Sequence, residues 1–100
     1  CGQNKVEAVE LKQNQTGETK TIELSGVFIA IGMEPQSSLV KDLVKEDPAG
    51  YVEAGEDCRT SADGIYVAGD VRSKSLRQVV TAVADGAVAI ASIEQDFARE

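Results

Sequence analysis

Residues 60–70, TSADGIYVAGD, constrain the fold of this chain more than any other segment. The turn-prone residues 60–64 lead into the apolar run 65–68, which Gly69 and Asp70 end. This pattern is typical of a short buried strand, and a helical pattern begins a few residues later. In open α/β sheets, ligands bind outside the carboxyl ends of the strands. We therefore expect an α/β fold with a ligand site at Gly69 and Asp70.

The last quarter of the sequence has the periodicity of an amphipathic helix, with apolar residues at i, i+3, i+4 and i+7. The residues of this stripe are Leu76, Val79, Val80, Val83, Ala87, Ile90, Ala91 and Phe97. Ser75, followed three residues later by Gln78, matches a capping box at the start of a helix. The pattern predicts a long helix that begins after Ser75 and packs its apolar stripe on the core.

The first third of the sequence has the pattern of strands. Residues 6–11 and 20–24 flank the turn-prone residues 14–17, which predicts a β-hairpin with one solvated face. The run VFIAI at 27–31 is continuously apolar, as in a parallel strand that is covered on both faces.

Shorter elements are predicted between this run and the final helix. We expect a short helix at residues 39–44 and short strands at 51–54 and 65–68.

Composition narrows the class of protein. The chain has 100 residues, which allows one small domain, and its formal net charge is -7. An acidic surface argues against a nucleic-acid partner, because phosphate binding requires a basic surface. No segment is apolar for long enough to span a bilayer, and there is neither a signal-peptide pattern nor a starting Met. We expect a cytoplasmic protein without a membrane partner, cut from a longer chain.

The residue types present exclude several catalytic chemistries. The chain has no His, which excludes Ser-His and Cys-His pairs and any His-ligated metal. Its two cysteines, Cys1 and Cys58, form no C-x-x-C motif, and a cytoplasmic setting disfavours a disulfide between them. We expect Cys58 to be a small buried or half-buried side chain without a catalytic role, and we expect neither a catalytic residue nor a metal site.

The residues around the Gly-Asp pair have properties that suit a large polar ligand. Gly69 allows a ligand to approach the backbone, and Asp70 offers two acceptor oxygens to a sugar or polyol hydroxyl. The helix that follows has unpaired N–H groups and a partial positive charge at its start. Arg72, Lys74 and Arg77 make this region locally basic, and we expect Arg72 and Lys74 to be solvated.

The motif T-S-x-x-G-[IV]-[YF]-x-A-G-D at residues 60–70 resembles the second FAD-binding motif of the two-dinucleotide-fold disulfide reductases. The residues that follow, VR at 71–72, LRQVVTA at 76–82 and DG at 85–86, are similar to those of the low-molecular-weight (bacterial-type) thioredoxin reductases. Residues 26–35, GVFIAIGMEP, resemble the strand and glycine where the NADPH domain of that family returns to the FAD domain. The resemblance covers nearly the whole chain.

This resemblance implies a fold and a domain organisation. The chain would be the C-terminal part of a Rossmann-like FAD/NAD(P)-binding fold, preceded by a β-hairpin from the NADPH domain. Residues 1–34 would form the end of the NADPH-binding domain, as the hairpin plus the buried strand. Residues 35–100 would form the C-terminal part of the FAD-binding domain.

The resemblance also implies roles for individual residues at the flavin. Asp70 would hydrogen-bond the ribityl chain of FAD, and Gly69 and Val71 would line the same stretch. The flavin ring or its neighbouring groups would be contacted by Arg77, Gln78 and Val79. That end of the flavin gains negative charge on reduction, so the helix N-terminus would favour the reduced state.

The resemblance assigns a second set of residues to the nicotinamide side. Ile31 and Gly32 would lie near NADPH or the hinge between the domains. Met33 and Gln36 occupy positions where relatives often have His and Asn, so contacts on this side would differ from theirs.

The complete protein would pass electrons from NADPH to FAD, then to a cysteine pair, then to a protein disulfide such as that of thioredoxin, and would be a homodimer. The chain lacks the Gly-rich FAD and NADPH fingerprints and the C-x-x-C motif, so we expect it to be inactive alone. One alternative is a related flavin reductase, either the thioredoxin-reductase-like ferredoxin–NADP reductases or the flavoprotein partner of peroxiredoxins. Another is a truncated, non-enzymatic module that only self-associates.

Overall fold

Three regular elements occur along the chain in the computed structural model, which describes residues 1–100. They are strand β1 (Ala8–Lys12), strand β2 (Thr19–Glu23) and helix α1 (Val79–Arg99). The chain divides into two units, Cys1–Met33 and Glu34–Glu100, which are described separately below.

The first unit contains the predicted β-hairpin, which is confirmed. Strands β1 and β2 pair antiparallel, with a register that runs from Ala8 opposite Glu23 to Lys12 opposite Thr19. The connecting turn closes through two backbone bonds, since Gln13 N–H donates to the Glu18 carbonyl at 2.9 Å and Gly17 N–H to the Gln13 carbonyl at 2.8 Å. No residue of the hairpin is buried, so the backbone ladder and the turn hold it together.

The buried strand predicted for residues 27–31 is absent from the structure. These residues belong to no strand, and the side chains of Phe28, Ile29 and Ile31 are 100%, 81% and 95% exposed. A strand that is covered on both faces needs neighbouring strands and a layer on each side. Within these 100 residues nothing pairs with the run, so its apolar side chains stay in solvent.

The second unit has a small apolar core. Val44, Val52 and Val67 are its buried members, and several half-buried apolar side chains pack against them. The strands predicted at 51–54 and 65–68 are reduced to isolated backbone bridges, in which Val52 pairs with Glu46 and Arg72. The helix predicted at 39–44 is a series of turns. These segments are too short for regular ladders.

Helix α1 begins three residues later than predicted, with Gln78 rather than Ser75 as its N-cap. Gln78 is extended, with φ -144° and ψ 161°, and its backbone N–H donates to Thr81 Oγ1 at 2.9 Å. Among the preceding residues, Lys74 contacts Asp85, and the Arg77 side chain donates to the Asp70 carbonyl at 3.0 Å.

The face of α1 that packs on the rest of the second unit is not the predicted one. Asp85, Ala89 and Ser92 are its buried residues. The predicted apolar stripe lies mostly in solvent: Val79, Val80, Val83, Ile90 and Phe97 are all exposed. The hydrophobic pattern identifies a face suited to burial, but no other part of these 100 residues covers it. No helix in the structure combines the length and the apolar character needed to cross a bilayer.

Candidate cofactor site

The predicted ligand site lies on a tight turn from Gly69 to Arg72. Gly69 has φ +84°, a left-handed conformation that glycine adopts without steric cost. The Arg72 N–H donates to the Gly69 carbonyl at 3.1 Å, which closes the turn with Asp70 and Val71 at its centre. Val52 N–H donates to the Val71 carbonyl at 2.9 Å, so the turn is bonded to the core segment.

Asp70 occupies the tip of this turn with its carboxylate free. The residue is exposed, and its side-chain oxygens have no hydrogen bond or ion pair within the chain. Its backbone carbonyl, in contrast, accepts a hydrogen bond from Arg77 Nε at 3.0 Å. The backbone is therefore held in place while the carboxylate remains available to accept hydrogen bonds from a ligand.

Arg77 is engaged with the protein rather than pointing into open solvent. In addition to its bond with Asp70, its Nη2 lies 3.5 Å from the Arg72 carbonyl, and its guanidinium carbon lies 3.7 Å from the centroid of the Tyr51 ring. These contacts tie the start of α1 to the Gly69–Arg72 turn.

The first turn of α1 presents free backbone donors. The N–H groups of Val79 and Val80 have no acceptor inside the helix, and no side chain caps them. Both residues are exposed, at 83% and 72%, and Gln78 beside them is exposed as well. Unpaired N–H groups at the positive end of a helix attract an electron-rich group.

A buried carboxylate lies directly behind the turn. Asp85, 6% exposed, accepts hydrogen bonds on Oδ2 from Gly69 N–H at 3.0 Å and Arg72 Nε at 3.0 Å, and on Oδ1 from Arg72 Nη2 at 2.9 Å. The Lys74 ammonium group also bonds to Oδ2. The prediction that Arg72 and Lys74 are solvated is wrong, because Asp85 draws both cations into the protein.

The electrostatics of this cluster follow from its geometry. The hydrogen bonds from Arg72, together with those from Lys74 and Gly69, hold the pKa of Asp85 well below its ordinary value, although burial opposes the shift. The hydrogen bond to Asp85 raises the pKa of the Arg72 guanidinium in return. Asp85 and Arg72 are therefore both charged at neutral pH.

Cys58 is fully buried beside this cluster, as predicted. Both cysteines are free thiols, and the Cys58 Sγ lies 3.5 Å from the Asp85 carbonyl, to which it donates. Burial raises the pKa of the Cys58 thiol, with a further contribution from the charge of Asp85. A protonated, inaccessible thiol is a poor nucleophile.

A second carboxylate anchors the far half of α1. Asp96 accepts hydrogen bonds from Arg59 Nε at 2.9 Å, Arg59 Nη2 at 3.0 Å and the Tyr66 hydroxyl at 2.6 Å. These bonds lower the pKa of Asp96 to about 2. This cluster has the same two-pronged Arg–Asp geometry as the Arg72–Asp85 pair, but it has no contact with the Gly69–Arg72 turn.

The structure brings most of the predicted site residues together. Gly69, Asp70 and Val71 form the turn, and Arg77, Gln78 and Val79 connect it to α1. Val71 is half-buried and packs against the apolar core, so only its backbone faces the turn.

Ile31 and Gly32 belong to the other unit, where Ile31 is 95% exposed and an added Cβ at Gly32 would meet no atom within 4 Å. Their assignment to the nicotinamide side stays a prediction.

Asp85 was not predicted to be a part of the site. One signal was present, since a lone acid stands among the Ala and Val residues of the helix. No group of three His, Cys, Asp or Glu side chains is placed to hold a metal ion.

FAD, the cofactor that the resemblance implies, suits the residues present. The free carboxylate of Asp70 matches a chain of hydroxyl groups, and the free N–H groups of Val79 and Val80 match an electron-rich ring edge. The positive φ of Gly69 lets the backbone turn without a side chain at the point of closest approach.

A turn at the end of a buried segment, with a free acid at its tip and a helix N-terminus beside it, is typical of the Rossmann-like α/β class of dinucleotide-binding proteins. The comparisons with known proteins agree. The family profile described as pyridine nucleotide-disulphide oxidoreductase matches residues 2–86. The chain belongs to this family.

Relatives of known name are similar over almost the whole chain. The thioredoxin reductase of Treponema pallidum is 49% identical over 88 residues, which are 88% of this chain and 28% of the relative. The bifunctional thioredoxin reductase/thioredoxin of Mycobacterium leprae is 43% identical over 99 residues, 98% of this chain and 22% of the relative. A 34.2 kDa protein in the rubredoxin operon of Clostridium pasteurianum is 39% identical over 94% of this chain and 30% of the relative. The chain thus spans about a third or less of each relative.

Solved structures support the same conclusion. The T. acidophilum thioredoxin reductase matches with a TM-score of 0.81 and 45% identity, covering 90% of this chain and 30% of that protein. The Lactococcus lactis thioredoxin reductase matches with a TM-score of 0.75 and 38% identity, covering 88% and 29%. These likenesses confirm the predicted resemblance to thioredoxin reductases and the partial Rossmann-like α/β fold.

Proposed function

We propose that this chain forms part of the FAD site of a thioredoxin-reductase-like flavoprotein, which passes electrons from NADPH through FAD to a protein disulfide. The observation that carries the proposal is the Asp70 carboxylate, which is unpaired although the backbone on both sides of it is held. The carboxylate has no partner within the chain and lies beside a helix N-terminus, and both features support a ligand as its partner.

Each residue of the site has a definite task in this proposal. Asp70 accepts hydrogen bonds from the ribityl hydroxyls, and Gly69 allows the ligand to lie against the backbone. The N–H groups of Val79 and Val80 stabilise negative charge on the flavin. Arg77 fixes the position of Asp70 relative to the start of the helix through the 3.0 Å bond to the Asp70 carbonyl. When bound, FAD supplies the two-electron chemistry between nicotinamide and disulfide.

The remaining parts of the reaction lie outside the 100 residues in this proposal. The chain has no C-x-x-C, so the redox-active cysteines are contributed from elsewhere and the chain alone is inactive. Residues 1–34 close an NADPH-binding domain and residues 35–100 complete an FAD-binding domain. The complete protein is a cytoplasmic homodimer that reduces thioredoxin.

The test uses the complete product of the gene that encodes this chain. We expect it to bind FAD, with the absorption of a flavoprotein, and to oxidise NADPH in the presence of oxidised thioredoxin. Asp70→Ala removes hydrogen bonds to a charged acceptor and should raise the Kd for FAD by about tenfold or more. Asp63→Ala is the matched control, because Asp63 is an exposed acid on the turn before the same buried segment. A product that binds no FAD, or equal affinity in the two variants, would refute the proposal.

A second candidate is a flavin reductase with a different electron acceptor, such as a ferredoxin or a peroxiredoxin. It is kept because one relative, similar over 94% of this chain, is named only as a 34.2 kDa protein in the rubredoxin operon and not as a thioredoxin reductase. Reduction of ferredoxin or of a peroxiredoxin, but not of thioredoxin, with NADPH as the donor would select it. The Asp70 test applies to both candidates, because they share the flavin.

A further inference from the structure

Asp85 bonds to two residues of the Gly69–Arg72 turn. One of its oxygens accepts the Gly69 N–H at 3.0 Å, and Gly69 directly precedes Asp70. The same carboxylate takes both prongs of the Arg72 guanidinium, at 3.0 and 2.9 Å. A single side chain is therefore hydrogen-bonded to the residues at both ends of the turn that presents Asp70.

The rest of the network restrains the turn from its other sides. The Arg72 Nη1 lies 3.4 Å from the Gly55 carbonyl, and Ser73 N–H donates to the Val52 carbonyl at 2.8 Å. The Asp70 carbonyl is held by Arg77. The backbone on both sides of Asp70 is therefore bonded, whereas the Asp70 carboxylate has no partner within the chain.

Stability is a weak explanation for a buried cluster of this kind. Removing two or three charges from water costs several kcal/mol per ion, and apolar residues of similar volume often stabilise a protein as well or better. The α1 helix already has a second anchor of the same geometry in Asp96 and Arg59. Asp85 differs from Asp96 in its deeper burial, in its contact with Lys74 and in its bond to Gly69. Of these, the bond to Gly69 is the one that reaches the backbone beside Asp70 directly.

We propose that Asp85 is a positioning residue for the flavin, which acts by locking the Gly69–Arg72 turn so that the Asp70 carboxylate is presented in its binding orientation. This role rests on the proposed function. Pre-organisation of this kind strengthens binding because the cost of ordering the turn is met on folding rather than when the ligand binds.

The experiment compares Asp85→Asn with Asp96→Asn in the complete gene product. Both changes remove one charge from a two-pronged Arg–Asp pair on the same helix, so both lower Tm. Asp85→Asn should raise the Kd for FAD by about tenfold, whereas Asp96→Asn should change it by less than about twofold. The resolved shoulder of the bound-flavin absorption band should be blurred in the first variant and retained in the second.

If Asp85→Asn fails to fold, Arg72→Lys is compared with Arg59→Lys, since lysine keeps the charge and loses the two-pronged geometry. The same difference in FAD affinity is expected. Equal affinities in the matched variants, with normal FAD binding by the wild type, would overturn the positioning role alone. Absence of FAD from the wild type would overturn the proposed function and this role with it.

Discussion

The two units of the chain are stabilised in different ways. In Cys1–Met33 no side chain is buried, and the hairpin is held by its backbone ladder and turn. Every buried residue lies in Glu34–Glu100, where Arg72 and Asp85 are as deeply buried as the apolar core. An isolated two-stranded hairpin is marginally stable, whereas a unit built on paired charges depends on each partner. Substitutions should therefore have large effects in the second unit and small effects in the first.

The largest effect is expected from Asp85→Ala. This change leaves Arg72 and Lys74 buried without their partner, and breaking a buried pair costs about 3–5 kcal/mol. Urea unfolding followed by the circular dichroism of α1 measures the loss. Glu94→Ala, on the exposed face of the same helix, should cost less than about 0.5 kcal/mol. Similar losses in both variants would show that the buried charges do not hold the second unit.

Truncation of the apolar core should have the next largest effect. Val52 is 2% exposed and lies at the crossing of two backbone bridges. Val52→Ala removes two methyl groups and leaves a cavity, which should lower the free energy of unfolding by about 2 kcal/mol. The same urea titration measures this change. A cost below about 0.5 kcal/mol would mean that the ion pairs alone hold the unit.

Acid should weaken the second unit through Asp96. The folded pKa of Asp96, about 2, is lower than its ordinary value of 3.8, so its ion pair stabilises the protein above the higher value. That contribution is lost as the pH falls from 3.8 through about 2. Urea midpoints measured across this range should fall for the wild type and fall less for Asp96→Asn. If the urea midpoints of the two proteins fell equally with pH, the Asp96 ion pair would not be the cause of the acid sensitivity.

The smallest effect is expected in the hairpin. Ile22 pairs with Val9 across β1 and β2, and its side chain is 38% exposed. Ile22→Ala should therefore change the free energy of unfolding of the second unit, followed by the circular dichroism of α1, by less than about 0.5 kcal/mol. A loss as large as that of Val52→Ala would remove the distinction between the two units.

Local signals in the sequence were sufficient for several features of the fold. The turn residues 14–17 predicted the hairpin, and the 3.6-residue periodicity predicted a long helix in the last quarter. Gly69 and Asp70 were predicted to end a short buried segment, and the structure has a tight turn there, whereas ligand binding at this turn stays a prediction. Each of these features depends on residues that are close in sequence.

Features that depend on distant partners were not predictable from the sequence. The apolar stripe predicted for burial is exposed, and the run at 27–31 is unpaired, because a hydrophobic pattern does not reveal what covers it. The buried face of α1 is instead selected by Asp85 and Asp96, whose arginine partners lie 13 and 37 residues away in the chain. Sequence periodicity contains no information on such pairings.

The most direct test of the central claim is a crystal structure of the complete gene product with FAD bound. We expect a carboxylate oxygen of Asp70 within hydrogen-bonding distance of a ribityl hydroxyl, with the Gly69–Asp85 bond and the Gly69–Arg72 turn retained. A flavin bound elsewhere, with Asp70 still facing solvent, would contradict the account.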